Sequence, residues 1–321
     1  MTEQILGNLY RIELSLPNNP LKWLNSYLIK SPARSLLIDT GFNLPSCLSE
    51  LLSALDELDV DPRKLDVFLT HCHADHTGNA GALNAMGCRI FINSGELAVL
   101  RSKHLWPDKH DWMISEGMPE EVFSGILETS PAVIYAPGPF DAVCVEDGSI
   151  VSCGGFNLRC IRTPGHARGH MCLWDEKQKL LFTGDHVLFD ISPNICSLGP
   201  GTDSLGDYLR SLDKIRLLPA VFALPSHRSQ GSISLSERID QLKVHHAERL
   251  LELESCVKDC PGMTAYEIAG LIKWKITARS WDDFPISQKW FAVGEALAHI
   301  DFLLARGRIE RIQKGGIFVY R

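Results

Sequence analysis

The stretch VFLTHCHADH, residues 67–76, does more than any other to decide the fold of this chain. Its first part is apolar, as in a buried strand, and the six residues after Thr70 contain three histidines and one aspartate. Such a cluster on the loop after a strand is hard to explain by packing, whereas histidine and carboxylate are common ligands of divalent metals such as Zn²⁺. The alternative is a helix capped by Asp75 beside solvated histidines, but it predicts nothing about the rest of the chain.

The spacing within this loop divides the candidate ligands into two sets. In an extended loop His71 and His73 point the same way, because alternate side chains share a side. Asp75 and His76 fall on the turn into the next helix and can face a second ion. Cys72 should point away from the ligands, which favours a packing role over a thiolate ligand.

Three later segments repeat the arrangement of a strand followed by a polar side chain. They are TPGH at 163–166, TGD at 183–185 and PSH at 225–227. Because each follows an apolar strand, all should deliver their side chains to one edge of the sheets. His166, Asp185 and His227 are therefore further candidate ligands.

The ordered pattern HCHADH, His166, Asp185, His227 resembles the metallo-β-lactamase fold superfamily of metal-dependent hydrolases, whose signature is HxHxDH followed by a single His, an Asp and a final His. The resemblance runs from residue 5 to about 232 and implies an α/β fold, an αββα sandwich, with two metal ions. It implies His71, His73 and His166 on the first metal, Asp75, His76 and His227 on the second, and Asp185 bridging them. Asp39, in LLIDTG, matches an aspartate that supports such sites from behind.

Simple coordination chemistry agrees with two ions. Seven ligands are too many for one tetrahedral zinc, but they suit two ions about 3.5 to 4 Å apart that share a hydroxide. Metal binding lowers the pKa of such a water toward about 7, so that it can act as the nucleophile. Asp75 and Asp185 are then the catalytic candidates, with the ligand role of Asp75 ranked above proton transfer. Zinc is favoured, and iron or manganese accept the same donors.

Five residues beside the ligand motifs are candidates for support or substrate contact. His170 should hydrogen-bond to the ligands rather than bind metal. His186 either orients substrate or packs in the core. Asn194, Arg168 and Arg228 could contact a polar end of the substrate, and their position next to the ligand motifs is the only basis for naming them.

The 321 residues divide into parts of different character. Residues 1–235 are predicted to form the catalytic domain, with 94–140 as a surface insertion that either covers the metals as an apolar lid or buries its own aromatic side chains. A linking helix is predicted over 236–255, opened by a Ser234 and Glu237 capping box. Residues 256–321 are predicted to form a small winged-helix-like domain of two more helices and a hairpin.

Charge and composition restrict the partners and the location. A net charge of −7 disfavours nucleic-acid binding through a general basic field. Residues 256–321 carry a local net charge of +3, but the only basic residues of the last helix are Lys289 and Arg306. This helix is therefore expected to pack against the rest of the chain, form a homodimer or line the active-site cleft rather than bind DNA. No apolar run is long enough to span a membrane and the N-terminus does not look like a signal peptide, so a cytoplasmic protein without membrane contact is expected.

The leading hypothesis is hydrolysis of a small-molecule carbonyl ester or thioester, in the manner of hydroxyacylglutathione hydrolases. The tail also resembles that of a branch that includes a mitochondrial endoribonuclease-like protein. A single-strand endoribonuclease or phosphodiesterase using the same metals is therefore the alternative. A non-enzymatic metal-binding DNA regulator ranks last, because it would leave a complete set of hydrolytic ligands unused.

Overall fold

A computed structural model describes residues 1–275 and 278–321 of the chain. Two mixed β-sheets lie face to face, and helices cover the outer face of each sheet. The predicted α/β class and αββα sandwich are therefore confirmed.

The first sheet has seven strands that follow one another in chain order. The first four are antiparallel, and the last four run parallel to one another. In the parallel part the carboxyl ends of the strands meet at one edge. The strands are β1 (Thr2–Leu6), β2 (Leu9–Ser15), β3 (Trp23–Ile29), β4 (Ser35–Ile38), β5 (Leu65–Phe68), β6 (Arg89–Asn93) and β7 (Ala142–Val145).

The second sheet has five strands and one parallel pair of strands. Its order is β12-β11-β10-β9-β8, antiparallel except for the parallel pair β11 and β12. Helix α8 (Ser204–Arg216) makes the crossover between them, so the ends of β11 and β12 lie at the same edge. The strands are β8 (Ile150–Cys153), β9 (Phe156–Arg162), β10 (Met171–Asp175), β11 (Leu180–Gly184) and β12 (Phe222–Pro225).

Seven helices separate or follow the strands of the first sheet. The short 3-10 turn at Pro62–Lys64 leads into β5. Leu51 and Leu55 on α1 are fully buried against the sheet, as their helical spacing predicts. The helices are α1 (Pro45–Glu57), α2 (Ala74–Thr77), α3 (Ala80–Ala85), α4 (Ser94–Arg101), α5 (Leu105–Ser115), α6 (Glu120–Thr129) and α7 (Pro131–Ile134).

The described residues of the C-terminal part form three helices and a hairpin. They are α9 (Leu235–Asp259), α10 (Ala265–Leu271), α11 (Ile286–Leu304), β13 (Arg311–Lys314) and β14 (Ile317–Tyr320). The predicted capping boxes are present at Ser234 with Glu237 and at Thr264 with Glu267. Each satisfies backbone N–H groups that the first turn of a helix leaves without partners.

Among the residues that the structure describes, the hydrophobic core has three parts. One lies between the sheets, and one lies under α1, α3 and α4. The third joins the outer face of the second sheet to α8 and α9, and it continues into α10, α11, α5 and α6. In that third part Trp112, Met113 and Phe123 are buried.

The division of the chain at 235 and 255 stays a prediction, and so does a lid function for 94–140. Across the described residues, no helix has both the length and the apolar character that a bilayer span requires.

Candidate metal centre

All seven predicted ligands lie at one edge of the sandwich, because each follows the carboxyl end of a strand. The loop after β5 supplies residues 71–76, and β9, β11 and β12 lead to His166, Asp185 and His227. His71, His76 and His227 are fully buried. His73 and Asp75 are partly exposed, so the site opens to solvent on their side.

Three imidazoles form the first group. Nε2 of His71 lies 2.9 Å from Nδ1 of His73, and Nε2 of His166 lies 3.2 Å and 3.0 Å from those two atoms. Around a tetrahedral ion with bonds of about 2.0 to 2.1 Å, neighbouring ligand atoms are roughly 3.3 Å apart. The spacing of the group therefore suits one bound ion.

A second group is formed by Asp75, His76 and His227. Oδ2 of Asp75 lies 3.3 Å from Nε2 of His227 and 3.7 Å from Nε2 of His76. Asp185 stands between the groups, with its carboxylate 3.7 Å from Nε2 of His166, 3.6 Å from that of His76 and 3.5 Å from that of His227. The resemblance to the superfamily implies that Asp185 is shared by both ions.

Hydrogen bonds behind the rings favour metal-binding tautomers in four of the five histidines. The outer nitrogen, Nδ1, of His76 faces Oδ2 of Asp39 at 2.8 Å, and that of His71 faces Oγ1 of Thr70 at 3.1 Å. Nδ1 of His166 and Nδ1 of His227 each face a backbone carbonyl oxygen, at 2.8 Å and 2.9 Å. A nitrogen that faces an acceptor carries the proton, so the lone pair of Nε2 points into the site.

Several buried atoms in the site have no partner within the described chain. They are Nε2 of His76, Nε2 of His227 and Oδ1 of Asp185. An unsatisfied buried polar atom lowers the free energy of unfolding by about 1 to 3 kcal/mol. These three atoms all point into the same small space. The residues present therefore fit divalent metal ions.

The pKa values of the candidate ligands reflect both burial and the charges of neighbouring ligands. Burial alone would raise the pKa of Asp75, but His76 and His227 outweigh it and lower the pKa to about 2. Burial would lower the pKa of His227, but Asp185 and Asp75 raise it to about 10. Burial lowers the pKa of His73 to about 3, and His166 contributes in the same direction. Without metal, protons on His227 and His76 compensate the two carboxylates.

Asp39 and Thr70 support the loop of ligands from behind. Asp39 follows β4 with φ of 63°, and its carboxylate accepts hydrogen bonds from the backbone N–H and the hydroxyl of Thr70. The same carboxylate holds His76. Asp39 thus lies where the sequence prediction places it, whereas Thr70 was not predicted because a hydroxyl at a strand end is a common feature.

His170 and His186 lie behind the ligands rather than among them. Nε2 of His170 accepts the backbone N–H of Asp185 at 3.1 Å, and its Nδ1 pairs with the hydroxyl of Thr163 at 2.8 Å. The ring of His186 is fully buried between His170 and Tyr208. That position favours structural support over substrate contact.

Asn194, Arg168 and Arg228 have different surroundings. Asn194 offers its backbone carbonyl to His166, and two residues later Cys196 lies against α11 at Gly294. Arg168 is exposed and donates to the carbonyl of Leu198. The guanidinium of Arg228 lies 4.7 Å from the ring centre of Trp23, whose backbone carbonyl faces Nδ1 of His227.

Glu96 is a supporting residue that sequence reasoning missed. Its carboxylate is fully buried and accepts the backbone N–H of Cys72 at 2.8 Å and that of Gly169 at 2.5 Å. It therefore joins the loop of His71 and His73 to the loop of His166. The sequence offers only an acid in the first turn of α4, which usually reflects the helix dipole.

Comparison with known proteins gives two family matches. The family described as "Metallo-beta-lactamase superfamily" matches residues 24–227, and "Metallo-beta-lactamase-like, C-terminal domain" matches residues 282–321. The first match spans more than half of the chain and contains every candidate ligand. The second lies in α11 and the hairpin.

Individual proteins resemble most of the chain. A metallo-beta-lactamase family protein from Thermus thermophilus has 29% identity and a TM-score of 0.81, covering 98% of both chains. Lactamase-like protein nscB of Aspergillus fumigatus is 26% identical over 88% of this chain and 84% of its own length. An atrochrysone carboxyl ACP thioesterase of Emericella nidulans is 27% identical over 70% of this chain and 57% of its own length.

Proposed function

Because the chain belongs to the metallo-beta-lactamase superfamily and is a hydrolase of that superfamily, we propose that it is a dinuclear metal-dependent thioesterase. The observation that carries the dinuclear part is the position of Asp185, whose carboxylate is within 3.7 Å of a histidine nitrogen from both groups. A single ion in either group would leave buried ligand atoms of the other without partners.

Zinc is the metal we propose. Each group offers mainly imidazole nitrogen, a donor that suits zinc and that iron and manganese also accept. When bound, such ions lower the pKa of a water molecule to supply a nucleophile near neutral pH and polarise the carbonyl oxygen of the substrate.

The residues of the chain have distinct tasks in this proposal. Asp75 remains ionised at neutral pH, since its pKa is about 2, so it acts as an anionic ligand and not as a proton donor. Asp39 and the carbonyl of Asn194 fix the rings of His76 and His166. His170 holds the backbone of Asp185, which sets the position of the carboxylate between the groups.

A thioester is the substrate class that we propose within the predicted choice of ester or thioester. The support is the similarity to proteins named as thioesterases. In addition, the partly buried rings of Trp106 and Trp290 lie 5.9 Å apart and offer apolar surface for an acyl chain.

Metal analysis tests the dinuclear part. Purified protein should contain about two ions per chain by elemental mass spectrometry, and zinc should predominate after growth in balanced trace metals. One ion per chain at saturation would contradict the proposal.

A substrate panel tests the reaction. It should compare thioesters, lactones, β-lactams, phosphodiesters and single-stranded RNA with wild-type protein, Asp185→Asn and the exposed control Asp190→Asn. We expect thioester hydrolysis that Asp185→Asn lowers by at least about 100-fold, because a ligand should matter no less than its supporting partners. The control should retain activity. Cleavage of RNA alone would overturn the thioesterase proposal in favour of the ribonuclease alternative.

A further inference from the structure

The loop that supports His166 also contacts helix α11 of the C-terminal part. This 194–198 loop lies between β11 and α8. Its first residue, Asn194, places its carbonyl oxygen 2.8 Å from Nδ1 of His166. A candidate ligand of the first group is therefore connected, through one short loop, to a helix about 100 residues later in the chain.

Two hydrogen bonds hold the 194–198 loop on α11, and both come from Ser197. Its backbone N–H donates to the carbonyl oxygen of Gly294 at 2.8 Å, and its hydroxyl donates to Oδ2 of Asp301 at 2.6 Å. Gly294 and Asp301 are seven residues apart on one helix, so they lie on the same face, two turns from each other. Ser197 is buried, which protects both bonds from exchange with water.

Gly294 allows the loop and the helix to approach closely. A Cβ atom at this position would lie 2.6 Å from Sγ and 3.0 Å from Cβ of Cys196, closer than packed atoms normally come. Glycine is less favourable than alanine in the interior of a helix, and Gly294 lies near the middle of α11. The close contact with Cys196 is a physical reason for a glycine at this position.

The backbone and the ring of His166 are held by different elements. The preceding residue, Gly165, has φ of 140° and lies against Tyr208 on α8, where a Cβ atom would be 2.5 Å from the Cβ of the tyrosine. This contact fixes the backbone beside His166, but it does not fix rotation about the side-chain bonds. The carbonyl of Asn194 is the partner of the outer ring nitrogen, so the 194–198 loop determines how the ring is turned.

Three other candidate ligands take their support from elsewhere. The outer nitrogens of His71, His76 and His227 face Thr70, Asp39 and the carbonyl of Trp23. Among these four rings of the described chain, His166 alone has a partner in a loop that is hydrogen-bonded to α11. A displacement of that loop should therefore affect the first group and spare the second.

We propose that Ser197 and Gly294 are positioning residues, through which α11 holds the 194–198 loop and thereby fixes the ring of His166 for the first metal ion. The inference rests on the proposed function, because it concerns the same metal centre. It gives the C-terminal part a task in building that centre. The ring nitrogens of the first group are 2.9 to 3.2 Å apart, and a turn of the His166 ring would remove one of the three from this arrangement.

Gly294→Ala tests the connection by adding a methyl group at the closest contact. The methyl must displace Cys196, and with it the carbonyl of Asn194. We expect the affinity for one of the two ions to fall about 10- to 100-fold, the usual effect of losing a partner behind a ligand. Stepwise titration of metal-free protein with Zn²⁺ against a competing chelator measures this without turnover. Wild-type affinity in folded Gly294→Ala would overturn the inference.

A second substitution should reverse the effect. In Cys196→Gly the Sγ and Cβ atoms are gone, and Cα, at 3.7 Å from the added methyl, is at an ordinary van der Waals distance. The double variant Cys196→Gly/Gly294→Ala should therefore bind Zn²⁺ within about twofold of Cys196→Gly. A double variant as weak as Gly294→Ala would show that displacement of the loop is not the cause, and would overturn the inference.

Reference variants identify the affected ion. His166→Ala removes a ligand of the first group, and His227→Ala removes one of the second. Gly294→Ala should weaken the binding step that His166→Ala weakens and leave the other step unchanged. Equal weakening of both steps would show general destabilisation and overturn the inference. Gly125→Ala on α6 is the matched control, because its methyl would meet only the flexible end of the Ile286 side chain, and it should change neither step.

Ser197→Ala replaces Gly294→Ala if that variant does not fold. It removes the hydroxyl that donates to Asp301 and leaves the backbone bond to Gly294. We expect a smaller loss, about 2- to 10-fold, at the same binding step. In that case unchanged affinity in Ser197→Ala would overturn the inference.

Failure of the inference and failure of the proposed function can be told apart, because Zn²⁺ affinity does not depend on the substrate. If no thioester is hydrolysed but Gly294→Ala selectively loses one ion, the proposed function fails and the positioning role stands. If thioesters are hydrolysed and the affinities do not change, the positioning role fails and the proposed function stands.

Discussion

Nδ1 of His76 donates a hydrogen bond to Oδ2 of Asp39 over 2.8 Å, and both side chains are buried. The aspartate lies in the first strand-end loop of the site, and the histidine is 37 residues later in the second group of candidate ligands. The bond turns Nε2 of His76 toward Asp75 and Asp185. Asp39 lies outside the two ligand groups, yet its hydrogen bond determines which nitrogen of His76 faces the site.

Asp39→Asn should weaken metal binding while the fold persists. The amide can still accept from Thr70, but it no longer supplies a negative charge behind His76. Loss of such a partner typically costs about 10- to 100-fold in metal affinity. Titration against a competing chelator measures the change, with the exposed Asp56→Asn on α1 as control. Wild-type affinity in Asp39→Asn would show that the hydrogen bond does not orient the ring.

Glu96→Gln should destabilise the whole site. Each carboxylate oxygen accepts from one backbone N–H group, of Cys72 or Gly169, and glutamine keeps only one acceptor oxygen, so its NH₂ leaves one of the two N–H groups without an acceptor. We expect the free energy of unfolding to fall by about 1 to 3 kcal/mol. Denaturant unfolding measures it, and Glu128→Gln on the exposed side of α6 serves as control. An unchanged midpoint for Glu96→Gln would mean that the two loops do not depend on this link.

Metal binding should release protons at neutral pH. In the metal-free chain the pKa of His227 is raised to about 10, and that of His76 is also raised, so both rings are protonated near neutral pH. A ligand must lose its proton, so we expect about two protons per chain on saturation and an affinity that increases with pH. Calorimetry in buffers of different ionisation enthalpy counts the protons. A value near zero would contradict the protonated pair.

The same raised pKa predicts how the metal-free protein responds to alkali. Because the folded value for His227 exceeds the ordinary 6.5, its contribution to stability is complete below about 6.5 and is lost as pH rises through about 10. Thermal unfolding of chelator-treated protein should therefore show a decreasing midpoint from about pH 7 to 10. Metal-loaded protein should be less sensitive, since the imidazole then carries no proton. Parallel pH dependence of the two forms would contradict this account.

Tyr320→Phe should loosen the C-terminal hairpin. The buried hydroxyl of Tyr320 donates to Oε2 of Glu116 at the end of α5 over 2.5 Å, and burial raises the pKa of that carboxyl. Removing the hydroxyl leaves a buried oxygen without its donor, which costs about 1 to 3 kcal/mol. Urea unfolding should show this loss, whereas Tyr10→Phe, at a partly exposed position on β2, should have little effect. Equal stability of Tyr320→Phe and wild type would show that Glu116 finds another donor.

The sequence by itself determined the family, the sandwich and the order of the candidate ligands. Period-2 and helical patterns set the elements, and the capping boxes at Ser234 and Thr264 marked two helix starts correctly, because these signals are local. The prediction of a hydrolase is confirmed by the family match. Zinc, a winged helix and the cytoplasm remain predictions.

Only the tertiary structure showed that Glu96 and Thr70 also support the ligands. Glu96 is an ordinary charged residue of a helix in the sequence, and its partners come from distant parts of the chain that it meets only after folding. Gly169, for example, is 73 residues from Glu96. No periodicity records such encounters, because hydrogen bonds and charges act through space, and the packing of two sheets and α11 determines which groups come within reach.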